Sequence, residues 1–360
     1  MADFRLDTAT RRPQAEREAI LADPGFGSNF SDHMVLIDWN PERGWHDHRI
    51  VGYAPFTLDP ASAVFHYAQE AFEGLKAYAH EDGSIWRFRA DVNATRFQRS
   101  ARRLALPELS VDDFLTGIDR LVDVDRDWVP RGAEQSLYLR PFMFAHSAFL
   151  AVKPSTSVTY AVIASPSGAY FGGSGVQPVK IWVSRDFSRA APGGTGFAKC
   201  GGNYAASMVA QQEAEAAGCS QVAFLDAVEH RYVEELGGMN LFAVTADGRV
   251  ITPALTDSIL EGVTRSAVLR LAADAGLAVE ESRLPQQELH RGIDDGGIRE
   301  VFACGTAAII TPVASFTDPD GTHTVADGQP GTTTLDLRRQ LTEIQYGRRP
   351  DPYGWMHRIV

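Results

Sequence analysis

Residues 193–204 read Gly-Gly-Thr-Gly-Phe-Ala-Lys-Cys-Gly-Gly-Asn-Tyr and place a single lysine, Lys199, between two glycine-rich runs, just before a stretch of helical character. A nucleophilic lysine needs a lowered pKa, from burial or neighbouring cations, and room for a planar ligand, which glycines provide. A surface lysine on a flexible turn would give the same pattern, so this segment alone leaves both interpretations open. A Walker A phosphate loop is disfavoured, because Cys200 stands where that loop needs a hydroxyl for Mg²⁺.

Three further segments each offer a group that a phosphorylated ring compound could use. Residues 260–265 open a predicted helix, where backbone N–H groups, a threonine hydroxyl and the helix dipole favour a phosphate. Residues 304–307 form a small-residue turn able to direct N–H groups at an anion. Glu234 and Glu235 precede a glycine turn, and a buried carboxylate there would keep a ring nitrogen protonated. Taken singly, the first segment could be an ordinary capped helix, the second a plain turn and the third a pair of solvated acids. Taken together with Lys199, the three segments indicate a pyridoxal phosphate site.

Local patterns in the first half of the chain predict a strand at 34–39 and a buried helix over 60–73. Asp91 is a candidate N-cap for a helix that runs to about residue 106. Ser110 and Asp113 open a further helix with the spacing of side-chain capping.

The second half alternates predicted strands and helices. A strand is predicted at 221–226, and an Asp-Gly turn joins strands at 240–245 and 250–252 into a hairpin. Helices are predicted over 203–217 and 264–275, each followed by a glycine suited to the C′ position. This mixture of hairpins and crossovers favours an α+β or mixed α/β fold over a doubly wound parallel sheet.

The stretch at 165–175, Ser-Pro-Ser-Gly-Ala-Tyr-Phe-Gly-Gly-Ser-Gly, has the composition of a linker. We therefore predict a small N-terminal domain over residues 1–170, an interdomain loop over 171–183 and a large C-terminal domain over 184–360. The large domain would carry the reactive lysine.

The composition is that of a globular protein and limits the classes of partner. The chain has 360 residues and a formal net charge of −12, which argues against nucleic acid as a partner. No apolar run approaches the roughly 20 residues needed to cross a bilayer, and the polar N-terminus does not resemble a signal peptide. The three cysteines have no paired or metal-binding spacing, so we expect a cytoplasmic protein without a metal site.

Long gapless segments carry a family resemblance. They lie at 66–78 (His-Tyr-Ala-Gln-Glu-Ala-Phe-Glu-Gly-Leu-Lys-Ala-Tyr), 137–141 (Leu-Tyr-Leu-Arg-Pro), 199–204 and 235–240 (Glu-Leu-Gly-Gly-Met-Asn). Through them the chain resembles, almost end to end, the branched-chain amino-acid aminotransferases of the fold-type IV pyridoxal-phosphate class. The resemblance implies a two-domain α/β fold with an interdomain loop, and pyridoxal 5'-phosphate as the cofactor.

The resemblance also implies a role for each matching residue. Lys199 matches the lysine that binds the cofactor and moves a proton between the substrate Cα and the cofactor C4′. Arg96 matches the phosphate-binding arginine, whereas Arg87, Arg89 and Arg99 look structural. The remaining cofactor positions are Tyr204 for the phenolic oxygen, Glu235 for the pyridine nitrogen, and Val263, Thr264 and Thr306 for the phosphate. The substrate positions are the aromatic wall of Tyr67, Phe72, Tyr138 and Tyr170, then Arg140 for the distal carboxylate of glutamate, and Thr306 with Ala307 for the substrate carboxylate.

The activity that the resemblance implies is ping-pong transamination of L-leucine, L-isoleucine and L-valine with 2-oxoglutarate, giving branched 2-oxo acids and L-glutamate. An aromatic pocket separates aliphatic side chains by only about 1–3 kcal/mol per methylene, so broad aliphatic specificity is expected. The resemblance further implies a homodimer. The segment 148–152 is apolar for a free loop, so it could cover the partner's pocket or form a buried connection within one subunit.

The sequence departs from the family pattern at two places, and three alternative functions remain open. Ala308 and Thr311 stand where some family members carry a Cys-x-x-Cys pair, and Gly238 stands where some carry threonine. A fold-type IV relative acting on D-alanine or aminodeoxychorismate would share Lys199 and Glu235. A non-enzymatic pyridoxal-phosphate carrier and a nucleotide-binding protein are the other two alternatives.

Overall fold

The computed structural model describes residues 3–7, 9–168, 170 and 175–360. Its strands are β1 (Arg5–Leu6), β2 (His33–Asn40), β3 (Gly44–Gly52), β4 (Glu70–Phe72), β5 (Leu75–Ala79), β6 (Ile85–Phe88), β7 (Ser136–Ala145), β8 (Val158–Ser167), β9 (Val179–Ser184), β10 (Gln221–Leu225), β11 (Tyr232–Leu236), β12 (Asn240–Thr245), β13 (Arg249–Pro253), β14 (Ala278–Ser282), β15 (Leu284–Pro285), β16 (Ile298–Gly305), β17 (Ile309–Asp318), β18 (Gly321–Thr324) and β19 (Met356–Arg358). Its helices are α1 (Gln14–Ala22), α2 (Ala63–Tyr67), α3 (Ala90–Arg103), α4 (Val111–Val124), α5 (Gly201–Ala205), α6 (Met208–Ala216), α7 (Val263–Asp274), α8 (Gln286–Asp294) and α9 (Thr332–Gln345), with a 3₁₀ turn at Arg126–Trp128.

The chain divides into two compact units. The first contains Met1–Gly172, Ala198–Gly201 and Ile344–Val360, and the second contains Gly173–Phe197 and Gly202–Glu343. The predicted domain limits at residues 170 and 184 stay a prediction, because residues 171–174 of the expected interdomain loop lie outside the described part of the chain.

The first unit is built on a nine-stranded sheet with the order β1-β3-β2-β8-β7-β5-β6-β19, in which β4 also pairs with β7. The long β7 and β8 pair antiparallel along their whole length, from Ser136 opposite Ser167 to Ala145 opposite Val158. Helices α3 and α4 cover this sheet. Phe97 of α3 lies 5.5 Å from the ring of Phe114 on α4 and 5.7 Å from Tyr160 on β8, and these buried rings form the centre of the core.

The second unit is built on a ten-stranded arrangement with the order β14-β13-β12-β16-β17-β9-β10-β11-β15, and β18 pairs with β17. Strand β9 is parallel to both of its neighbours, β10 and β17, whereas β12 is antiparallel to both β13 and β16. Parallel and antiparallel pairs therefore coexist, which confirms the predicted mixed α/β class.

Three local predictions were wrong. Residues 60–73 form the short helix α2 and then β4, because Ala68 turns into the left-handed region at φ 46° and the following residues pair with β7. Asp91 does not cap α3, since the N-cap is Arg89, whose N–H donates to the carbonyl of Trp355 at 2.8 Å. The helix predicted over 203–217 is broken between α5 and α6, where the Ser207 hydroxyl donates to the Tyr204 carbonyl at 2.7 Å.

The other local predictions agree with the structure. The strand at 34–39, the hairpin of β12 and β13, and the helix ended by Gly276 at φ 79° all form. Ser110 accepts a hydrogen bond from the Asp113 N–H at 2.9 Å, as the capping pattern predicts. Across the described residues, every helix falls short of the length and apolarity that a membrane span requires.

Candidate active site

Helix α3 carries a buried polar stripe in the first unit. Asn93, Arg96 and Ser100 are three and four residues apart, so they share one helix face, and each is at most 4% exposed. Arg96 donates through Nε at 2.7 Å and Nη2 at 2.8 Å to the two oxygens of Glu73, and Asn93 donates to the same carboxylate at 2.8 Å. Burial pushes the pKa of Glu73 upward, but the ion pair with Arg96 outweighs burial and leaves the pKa below its ordinary value.

The backbone of Lys199 is fixed on both sides within the same unit. Its N–H donates to the Ser100 hydroxyl at 2.9 Å, and its carbonyl accepts from the Phe72 N–H at 3.0 Å. The Ser100 hydroxyl donates in turn to the Arg96 carbonyl at 3.1 Å. The Lys199 amine lies 4.8 Å from the centre of the Phe72 ring. The lysine is thus tied to the helix turn that carries Arg96 rather than held on a mobile surface turn.

An aromatic face of the sheet surrounds this amine. Phe72 of β4 stands opposite Phe142 of β7, and Glu70 stands opposite Phe144. Because alternate residues of a strand share a face, one face collects a set of side chains that we call the aromatic face. Its members are Glu70, Phe72, Tyr138, Arg140, Phe142 and Phe144.

Arg140 lies among the rings of the aromatic face. Its guanidinium is 4.9 Å from the centre of the Phe72 ring, and its Nη2 donates to the Tyr138 hydroxyl at 3.1 Å. Its Nε is buried without a hydrogen-bond partner in the part of the chain that the structure describes. Gly74 makes room for this arrangement, since a Cβ at that position would collide with the Tyr138 hydroxyl.

The two other predicted members of the pocket wall lie differently. Phe26 packs edge-on against both Tyr138 and Tyr170, with ring centres 5.1 Å and 4.9 Å apart, so it connects Tyr170 to the aromatic face. Tyr67 instead donates its hydroxyl to the carbonyl of Leu150. The structure therefore groups Phe72, Tyr138 and Arg140 closely, and Tyr67 with the segment around Leu150.

In the second unit, strand pairing brings two of the predicted turns together. Asn240 opens β12 directly opposite Cys304 near the end of β16, so the turns at 237–239 and 305–307 meet at the same sheet end. A Cβ on Gly305 would lie 3.5 Å from the Gly238 carbonyl oxygen. This pairing positions Thr306 and Ala307.

Asn240 also positions the start of α7. Its amide donates to the Leu260 carbonyl at 3.0 Å, and its side-chain oxygen occupies the space that a Cβ on Gly262 would need. Gly262 is the N-cap of α7, and as a glycine it has no side chain of its own with which to cap this end of the helix. Val263 and Thr264 follow and are buried. The predicted phosphate-binding turn is therefore the first turn of α7, and its binding of an anion stays a prediction.

Glu235 is the buried member of the predicted carboxylate pair, at 3% exposed. It forms an ion pair with Arg189 and accepts from the Leu260 N–H at 3.1 Å. Arg189 also donates to the carbonyls of Gly196, at 3.2 Å, and Ser258. Glu234, in contrast, accepts from the Ser258 hydroxyl, and burial raises its pKa.

Tyr204 lies on α5 in the second unit. Gly238, which stands where some family members carry threonine, lies beside it. A Cβ on Gly238 would sit 3.7 Å from the Tyr204 ring, an ordinary contact. The threonine of some family members would therefore fit at this position.

The sequence analysis missed three groups that support these residues: Glu73, Ser100 and Arg189. The first two had a signal, because the polar residues 93, 96 and 100 lie beside the apolar positions 94, 97 and 101 of α3, and polar groups next to a buried face need a buried partner such as Glu73. Arg189 had none, since its partners come from three separate segments. Of the neighbouring arginines taken as structural, Arg87 pairs with Asp119 at 2.8 Å, in agreement with that interpretation.

Comparison with known proteins identifies the family. The model of the amino-transferase class IV family matches residues 70–316. A branched-chain-amino-acid aminotransferase of Mycolicibacterium smegmatis is 54% identical over 349 residues, covering 96% of this chain and 95% of the relative. Branched-chain-amino-acid transaminase 1 of Bacillus subtilis is 45% identical over 331 residues, covering 92% of this chain and 93% of that protein.

Solved structures agree with these relatives. The branched-chain amino acid aminotransferase of Escherichia coli superimposes with a TM-score of 0.76 at 29% identity, covering 90% of this chain and 99% of that one. The branched-chain amino acid aminotransferase of Thermobaculum terrenum in its PLP form gives a TM-score of 0.72 at 27% identity, covering 90% and 98% of the two chains. The chain therefore belongs to the class IV aminotransferases and, within them, to the branched-chain-amino-acid aminotransferase family.

Proposed function

We propose that the protein transaminates L-leucine, L-isoleucine and L-valine with 2-oxoglutarate, by a ping-pong mechanism that uses pyridoxal 5'-phosphate. The observation that carries the proposal is the Phe72 ring, which has the Lys199 amine 4.8 Å from its centre and the Arg140 guanidinium 4.9 Å from it. A reactive amine, an apolar wall and one arginine on the same ring suit both an aliphatic side chain and a second carboxylate.

The residues of both units fit the cofactor. A helix start whose N-cap is a glycine suits its phosphate, and the buried carboxylate of Glu235, paired with Arg189, suits a protonated pyridine nitrogen. We assign the phosphate to Arg96, Val263, Thr264 and Thr306, the phenolic oxygen to Tyr204 and the ring nitrogen to Glu235. Bound pyridoxal 5'-phosphate would supply an electron sink for the substrate Cα.

The chain's own groups then carry out the proton transfer. Lys199 Nζ takes the proton from the substrate Cα, a role for which its backbone is held by Ser100 and Phe72. Glu235, paired with Arg189, would hold the pyridine nitrogen of the bound cofactor and favour its protonated form. Thr306 and Ala307 bind the substrate α-carboxylate through the turn at the end of β16.

Substrate selection follows from the aromatic face. Phe72, Tyr138 and Tyr170 bury an aliphatic side chain, and each methylene adds only about 1–3 kcal/mol of discrimination, so leucine, isoleucine and valine are all substrates. Arg140 receives the distal carboxylate of glutamate or 2-oxoglutarate, and its buried Nε supplies an N–H without a partner among the described residues. Tyr67 completes the wall from the side of Leu150.

We further propose a cytoplasmic homodimer. The segment 148–152 is tied to α2 by the bridge between Ser62 and Ala148, yet Leu150 is 75% exposed and Val152 87% exposed. Phe65 on α2 is 60% exposed as well. Such a cluster of exposed apolar side chains suits an interface between subunits. Sedimentation that found an active monomer at assay concentration would contradict the dimer.

The first experiment is an absorbance spectrum of the purified protein before and after addition of leucine, followed by an assay with leucine and 2-oxoglutarate. We expect a yellow protein whose visible band is lost with leucine, and a Lys199→Ala variant that folds but does not turn over. A variant that keeps full leucine transamination would overturn the assignment of Lys199. Arg140→Gln should lose activity with 2-oxoglutarate far more than it loses the half-reaction with leucine.

A further inference from the structure

We propose that Glu70 is a specificity-determining residue. Its carboxylate balances the charge of Arg140 when no substrate carboxylate is bound there. It thereby sets how strongly the pocket favours a substrate with a distal carboxylate over one with an aliphatic side chain. The inference rests on the proposed function and adds a residue to which the resemblance assigns no role.

The register of β4 and β7 places the two groups on one surface. Glu70 stands opposite Phe144 and Phe72 stands opposite Phe142, so Glu70 and Arg140 both project from the aromatic face. They are the two charged residues among the six that define it. Arg140 lies over Phe72, two residues along β4 from Glu70, and its charge acts on the Glu70 carboxyl.

The Glu70 side chain is held in place at its other end. Its Oε1 accepts a hydrogen bond from the N–H of Gly201, the first residue of α5 and two residues beyond Lys199. Burial raises the pKa of Glu70, while the Gly201 N–H and the charge of Arg140 act in the opposite direction. The carboxylate therefore cannot simply turn towards water, and its charge stays near the arginine.

Dual specificity gives this charge a function. When a leucine side chain fills the pocket, the Arg140 charge needs a counter-charge, because an unpaired cation in an apolar site is costly. When glutamate fills the pocket, its distal carboxylate meets Arg140 and is repelled by Glu70. Glu70 thus strengthens the binding of the aliphatic substrate and weakens the binding of the dicarboxylic one. The affinities for the two substrates therefore stay similar.

The test compares Glu70→Gln with the parent holoenzyme, using two unreactive ligands. The glutamine removes the charge but keeps an oxygen for the Gly201 N–H. Isothermal titration calorimetry gives the dissociation constants of glutarate and 4-methylvalerate, and we expect their ratio to move towards glutarate by about five- to tenfold, the size expected of one nearby charge. Glu70→Asp, which keeps the charge, should stay within about twofold of the parent ratio.

Two controls separate this role from a structural one. Glu108→Gln removes one exposed negative charge from the same unit, where Glu108 pairs with Arg102, and should leave the ratio unchanged. In an Arg140→Gln background, Glu70→Gln should shift the ratio clearly less than in the parent, since only the direct repulsion between Glu70 and the distal carboxylate of glutarate then remains. Because both ligands are titrated into the same preparation, partial unfolding of a variant cancels from the ratio.

An unchanged ratio in Glu70→Gln, or the same shift in the Arg140→Gln background, would overturn the role of Glu70. Failure of the proposed function has a different signature, because the parent protein itself would then lack leucine transamination. A parent enzyme that turns over leucine while the Glu70→Gln ratio stays fixed contradicts only this inference.

Discussion

The two units each bury one glutamate against one arginine, and the two pairs are built differently. In the first unit Glu73 meets Arg96 side-on, with both carboxylate oxygens engaged at 2.7 and 2.8 Å. In the second, Oε1 of Glu235 pairs with Nη2 of Arg189, and the same Nη2 also donates to two backbone carbonyls. The first is an ion pair between one residue of α3 and the residue that follows β4, and the second is a junction between loops.

The difference indicates that the two arginines have different structural roles. Arg96 balances one charge and is held at a fixed orientation, as a residue that presents the rest of its guanidinium to a phosphate should be. Arg189 holds the segments around Gly196 and Ser258 to the strand that carries Glu235, so its loss would disturb backbone as well as charge. Two arginine substitutions with their double variants, one pH titration with its control variant and one chemical treatment follow from this contrast.

The largest effect is expected from Arg96→Met. It leaves the fully buried Glu73 carboxylate unpaired, which should lower the free energy of unfolding by about 3–5 kcal/mol in urea titrations of the cofactor-free protein. Adding Glu73→Gln should restore part of the loss, since no uncompensated charge then remains. A double variant as unstable as the single one would show that the uncompensated charge of Glu73 is not what destabilises the single variant.

Arg189→Met should lower the free energy of unfolding by about 2–4 kcal/mol, since it removes the ion pair of Glu235 while the bond from the Leu260 N–H remains. Here Glu235→Gln should recover less than about 1 kcal/mol in the same urea titrations. The carbonyls of Gly196 and Ser258 still lose their donor in the double variant. Full recovery would instead make this pair equivalent to Glu73 and Arg96.

A third carboxylate, Asp226, sharpens the comparison because backbone N–H groups hold it instead of an arginine. Desolvation opposes its ionisation, but bonds from four N–H groups prevail and lower its pKa from 3.8 to about 2. Because the pKa of Asp226 is lower in the folded than in the unfolded protein, its ionised form stabilises the fold at any pH above the unfolded-state pKa. This stabilisation is lost as the pH falls through the folded-state pKa. Stability should therefore drop by about 1–2 kcal/mol between pH 4 and 2.

Asp226→Asn is the matched control for that titration. The amide keeps an oxygen acceptor but cannot ionise, so its unfolding curve should lack this part of the pH dependence. A variant with the same pH profile as the parent would assign the acid transition to another group.

The smallest effect, none, is expected from mild oxidation. Cys200 and Cys304 are 2% and 1% exposed and form no disulfide among the described residues, and burial raises the pKa of the Cys304 thiol, so both should resist peroxide. Activity and thiol count should stay constant through peroxide and then dithiothreitol. Joint loss of activity and two thiols, both restored by dithiothreitol, would reveal a redox switch.

Local sequence predicted elements well where local forces form them. The hairpin of β12 and β13 follows from an Asp-Gly turn between apolar strands, and α4 follows from Ser110 with Asp113. It failed at β4, where pairing with β7 overrode a helical pattern, and at Arg89, whose turn is fixed by Trp355. In both cases the partner is more than sixty residues away in sequence.

The sequence by itself determined the family and the mixed α/β class, and it predicted the roles of Lys199 and of the turns, because those depend on residue type and short spacing. Only the tertiary structure decided that Glu73 holds Arg96, that Ser100 holds the Lys199 backbone, and that Glu70 shares a face with Arg140. The physical reason is that a buried charge or N–H must find its partner in space. Strand register and helix packing bring those partners together, and no spacing along the chain records them.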